Sequence, residues 1–138
     1  MQSEKGTRVE ERLNAHLPWF TLMILVTIES SLTGFRLPKL GLGIEDKIVH
    51  FLIFGILGWL LIRGMILEAV QRIRRNGYII SIVMGIFFAI SDELHQSFVS
   101  GRDPSYGDLT ADVLGICCFI AYFYLKQKKT TYPYLKNK

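Results

Sequence analysis

Charge is missing from most of this 138-residue chain. Charged residues make up 20% of it, yet they crowd into four places: residues 1–16, Arg63 to Arg75, Ser91 to Asp112, and the tail after Leu125. The blocks between carry few charges, Glu29 and those of Arg36 to Lys47. A soluble globule spreads its charges along the chain, so this segregation excludes that class and points to an integral membrane protein. Acid is missing from the tail, which carries Lys126, Lys128, Lys129, Lys136 and Lys138.

Cysteine is scarce. Cys117 and Cys118 are adjacent inside an apolar run, where a disulfide between them would be strained; they are expected to be small packing residues. No cleavable signal peptide is expected. The first sixteen residues mix both signs, and no small-residue cleavage site follows the first apolar run. An HExxH-type metal motif is absent, as are an inverted repeat and a polar path through the inner halves of the apolar runs.

Four runs are present: Leu17 to Thr33, Ile48 to Leu67, Gly77 to Val99, and Leu109 to Leu125. A spanning segment must satisfy its own backbone hydrogen bonds, so each is expected to be a helix. The first, at about 17 residues, is near the lower limit for crossing roughly 30 Å of hydrocarbon. The expected fold class is an all-α integral membrane protein, a four-transmembrane-helix bundle. Its expected parts are an N-terminal segment, 1–16, the membrane domain, 17–125, and a basic tail, 126–138.

Basic residues orient the bundle. Lys5, Arg8 and Arg12 stand at the amino end, Arg63 at the inner end of run two with Arg72, Arg74 and Arg75 after it, and five lysines in the tail. The positive-inside rule places all three groups, and hence both termini, in the cytoplasm. The loops at Gly34 to Asp46 and Ser100 to Gly107 then face outward, the second turning at Gly101, Pro104 and Gly107. With that orientation Glu29, Asp46, His50, Asp92, Glu93, His95, Gln96, Asp108 and Asp112 all fall in the outer half of the membrane. Ser30 and Ser31 beside Glu29 suggest a frayed helix end.

Helical spacing aims these residues inward. Asp46 and His50 lie about 40° apart on one face, continued by Ile53 and Leu57. Asp92, Glu93, His95 and Gln96 cover an arc of about 160°, with Leu94 on the far side. Asp108, Asp112 and Gly115 share a face with Ala111 and Cys118, whose small side chains allow close helix approach beneath the acids. An ionised group facing lipid costs several kcal/mol, so such groups normally face the bundle or a wet cavity. Asp46 and Asp108, near their helix starts, also suit plain interfacial or capping roles.

Two blocks, "DKIVHFLIFGILG" (Asp46 to Gly58) and "DELHQSFVSGRDPSYGDLTADVLG" (Asp92 to Gly115), resemble the VanZ-like family of small bacterial membrane proteins. The family pattern is D-K-x-x-H, then D-E-x-x-Q-x-F with a following G-R, then D-x-x-x-N-x-x-G. Asp46, Lys47, His50, Asp92, Glu93, Gln96, Phe98, Gly101, Arg102, Asp108 and Gly115 fall on it. Asp112 departs, standing where the family usually has Asn. The resemblance implies a multi-pass protein of the bacterial plasma membrane with a role at the cell envelope, associated with resistance to the glycopeptide antibiotic teicoplanin. It supplies no reaction.

Three functions fit the residues. In the first, an enzyme acts on a lipid headgroup or lipid-linked cell-wall intermediate. His50 and Glu93 would serve as general acid and base. Asp92, Asp108 and Asp112 would orient them or hold a divalent cation. Arg102, with Gln96 and Asp46, would bind substrate, the guanidinium suiting a phosphate. In the second, the protein binds or transports glycopeptide, lipid or protons without chemistry. In the third, the polar residues only tie the helices together. Nucleic acid is not an expected partner, because the basic loop and tail suit anionic lipid heads.

Overall fold

The computed structural model describes residues 2–32, 44–102 and 104–135, with side chains over 10–32, 44–102 and 104–128. The expected outward loop at Gly34 to Asp46 lies mostly outside the described residues, as do Lys136 and Lys138. The described residues form α1 (Gln2–Ser31), α2 (Glu45–Ile66), α3 (Gln71–Arg75), α4 (Gly77–Gln96) and α5 (Tyr106–Leu135), with no strand among them.

Three segments, Glu45–Leu67, Gly77–Gln96 and Tyr106–Lys128, are long and apolar enough to cross a membrane. The first run forms part of α1, which is not among the three; its apolar stretch lies between His16 and Glu29. α1 runs unbroken across residues 16 and 17, and α5 across 125 and 126. The short helix α3 occupies what sequence reading took for a loop.

The helix ends follow from local chemistry. Glu45 and Asp46 stand in the first turn of α2 and Arg63 in its last, each sign complementing the helix dipole. Pro18 sits inside α1 and lacks the N–H that would bond the Asn14 carbonyl. Arg63 Nη1 donates to that carbonyl at 3.0 Å, so α2 satisfies the group that proline leaves open. Nearby, His16 Nε2 meets Glu68 Oε2 at 2.8 Å, and Trp19 Nε1 donates to His16 Nδ1 at 3.1 Å.

α2 is central, packing on α1, α4 and, most extensively, α5. α4 also touches α1 and α5, whereas among the described residues α1 and α5 do not meet. The helices therefore form a diamond in section: α2 and α4 share the short diagonal, with α1 on one flank and α5 on the other. Phe54, Leu57, Leu61, Ile62, Ala89, Ile116 and Ile120 fill the core. α4 contributes small residues to its buried face, Gly77, Ser81, Gly85 and Ala89, followed by Asp92 and Gln96.

α2 and α5 come into backbone contact. A Cβ on Gly58 would sit 3.0 Å from Ile116 Cα, and one on Gly115 would run into the Phe51 carbonyl. The residues buried here are Ala111, Asp112, Gly115, Ile116 and Ile120. Cys118 was expected on this face but is exposed, as is Cys117; the helix rotates both off the seam. Large apolar side chains such as Phe87 and Ile79 are exposed on the outside of the bundle, the surface a membrane-crossing helix gives to lipid.

Candidate functional site

The end of α1, the start of α2, the end of α4 and the start of α5 meet at one end of the bundle, which brings the sequence-predicted polar residues to a common depth. The diamond arrangement then divides them into two groups.

On the α2–α5 side, His50 Nδ1 lies 2.9 Å from Asp112 Oδ1. Asp112 is only 1% exposed. Its carboxylate accepts the Nδ1–H, which fixes the tautomer and leaves Nε2 for other work. The imidazole stacks on Phe54, with planes 7° apart. One turn earlier on both helices, Lys47 Nζ donates to Asp108 Oδ1 at 3.0 Å.

On the α1–α4 side, Asp92 is buried between two donors. Ser30 Oγ donates to its Oδ1 at 2.7 Å and Gln96 Nε2 to its Oδ2 at 2.9 Å. All three residues are buried. Ser31 Oγ and His95 Nε2, 2.9 Å apart, add an exposed contact between the same helices.

Glu93 stands between the groups. Its Oε1 accepts the Ser105 N–H just ahead of α5, while its Oε2 is buried without a hydrogen-bond partner. It lies within electrostatic range of His50, Asp108 and Asp112, and Asp112 within range of Asp92. Asp46 is exposed in the first turn of α2.

Arg102 follows Gly101, whose φ of 85° admits the turn at no steric cost. Its Nη2 donates to the Glu29 backbone oxygen at 2.9 Å and to Glu29 Oε1 at 2.5 Å. The guanidinium thus ties the α4–α5 loop to the last turn of α1. Gln96 likewise spends its amide on Asp92. Among the described residues, no three His, Cys, Asp or Glu side chains are placed to hold a metal ion.

Two contributors escaped the sequence reading. Ser30 was assigned to a frayed end, but α1 stays helical through Ser31 and buries Ser30 completely. Its signal was its depth, equal to that of Asp92 on an adjacent helix. Lys47 was noted only as part of a motif, and its spacing of three residues from His50 was the clue to the shared face.

Membrane-length apolar helices, with buried ionisable groups confined to one end, define the class: a multi-pass helical membrane protein with a polar site at one membrane face. Within that class, the VanZ/LLP1 family model matches residues 2–127, and the chain belongs to that family. No curated protein and no solved structure matches it.

Proposed function

We propose that the polar end faces outward from the bacterial plasma membrane and acts on a lipid headgroup or lipid-linked cell-wall intermediate, contributing to glycopeptide (teicoplanin) resistance. In this reading α1 is a fourth span and both termini are cytoplasmic, which the basic loop and tail support. The observation that carries the chemistry is the 2.9 Å contact of His50 Nδ1 with Asp112 Oδ1. Asp112 orients the ring and supports its charged form, and Nε2 takes or gives the proton. Glu93, with one oxygen unsatisfied, is the complementary acid or base.

Asp92 and Asp108 act as positioning groups, the first through Ser30 and Gln96 and the second through Lys47. A headgroup phosphate reaches Arg102 by displacing the Glu29 carboxylate. Asp46 and Gln96 complete the mouth of the site. In a second reading the site binds or passes its ligand without chemistry; the pairing of Lys47 with Asp108 and of Arg102 with Glu29 favours a third, in which these groups only tie the helices together.

The test compares teicoplanin susceptibility, lipid turnover and protein abundance in cells expressing wild type or His50→Ala. Loss of both resistance and turnover at equal abundance supports the enzyme. Loss of resistance with no turnover in either strain supports the binding reading. Unchanged resistance removes both.

A further inference from the structure

At the opposite end of the bundle from His50, a groove of about 290 Å³ is lined by Trp59 of α2 and by Tyr122, Phe123, Lys126 and Gln127 of α5. Nothing in the reading above uses it. The α5 residues fall at i, i+1, i+4 and i+5, one face of a helix. Their chemistry is graded along the membrane normal. Lys126 and Gln127 stand where the apolar run of α5 ends at Leu125, at headgroup level. Trp59 lies seven residues before the end of α2, about 10 Å deeper at 1.5 Å per residue.

We propose that this groove is a binding site for an anionic phospholipid of the leaflet at the termini end. The phosphate sits at Lys126, and an acyl chain descends along Phe123 and Trp59. The groove opens between two membrane-length helices, so the molecule that reaches it is a bilayer lipid. Charge selects which lipid. From Val113 to Lys138 there is no acidic residue, and Lys126 and Lys128 stand just past the end of the apolar run. A basic side chain at that depth favours anionic over zwitterionic heads, and the amphipathic ring of Tyr122, one turn before Lys126, suits the approach to that boundary. The proposal is independent of any chemistry at His50.

The test uses the full chain in phosphatidylcholine vesicles containing a small fraction of lipid with brominated acyl chains, and reads quenching of Trp59. The chain has two tryptophans, so the Trp59 signal is obtained by subtracting that of Trp59→Phe. Brominated phosphatidylglycerol should quench about fivefold more effectively than brominated phosphatidylcholine at equal mole fraction. Lys126→Gln should lose most of that preference and Lys126→Arg keep it, circular dichroism verifying the fold of each. Equal quenching by the two lipids means ordinary boundary lipid and overturns the proposal. So does an undiminished preference in Lys126→Gln. Protection of Trp59 from both lipids overturns it too, by showing that a second copy of the chain covers the groove.

Discussion

The Arg102 guanidinium bonds both the backbone oxygen and the carboxylate of Glu29, so α1 is held at the polar end by a residue from a loop three helices further along the chain. Among the described residues α1 has no packing contact with α5, and this strap links it to the start of that helix. Arg102→Ala and Glu29→Gln should each destabilise the protein by about 1 kcal/mol, the scale of a partly exposed ion pair with an added hydrogen bond. Thermal unfolding of the double variant should show little further loss. Fully additive losses would mean that the two residues act separately. If phosphate exchanges with Glu29, Glu29→Gln should also bind headgroup phosphate more tightly than wild type, and Arg102→Lys less tightly.

Gly115 sets the distance between the helices that carry His50 and Asp112. Gly115→Ala places a Cβ against the Phe51 carbonyl, and relief requires α5 to move away from α2. A cost of about 1–3 kcal/mol is expected, together with loss of function although neither member of the pair has changed. Normal stability and function in Gly115→Ala would refute the close crossing.

The apolar blocks made α2, α4 and α5 legible in the sequence, because a helix in lipid advertises itself through hydropathy alone. Shared depth made the polar end legible too. Which of the acids His50 would meet was not legible, because that depends on the order of helices around the bundle. The polar residues were expected to face inward at a shared depth; α1 and α5 flank the α2–α4 pair, so Asp92 pairs toward Ser30 while Asp112 pairs toward His50. The N-terminal turns of α1 were hidden by mixed charges that read as a solvated segment. α3, at five residues, is too short to show periodicity. Cys118 was misplaced because its angular offset from Gly115 puts it outside the narrow seam.

Orientation follows from labelling. In a background with Cys117 and Cys118 replaced, a cysteine at Tyr106, which is 91% exposed at the polar end, should react with an impermeant thiol reagent added to intact cells. One at Asn76, exposed at the other end, should react only after lysis. The reverse pattern would invert the proposed topology.

The joint between α1 and the α2–α3 turn predicts an acid dependence. The hydrogen bond from His16, helped by the Val70 and Ala69 N–H groups, holds the Glu68 carboxyl below its ordinary value. The unfolded chain binds that proton more readily, so unfolding gains as pH falls. The contribution is complete above the ordinary value of 4.5 and is lost as pH drops through the lower folded value. Glu68→Gln should flatten the acid limb of a stability-versus-pH curve. An unchanged limb would show that Glu68 is not part of the joint.

Chemistry at His50 is the central claim, and His50→Gln tests it more cleanly than truncation. Alanine leaves the buried Asp112 carboxylate unpaired, at a cost of about 3–5 kcal/mol, whereas a glutamine amide can still donate to it but cannot shuttle a proton. The decisive measurement is teicoplanin susceptibility of cells holding equal amounts of wild-type or His50→Gln protein in the membrane. The account predicts that His50→Gln cells are as susceptible as cells without the protein; resistance equal to wild type would contradict it.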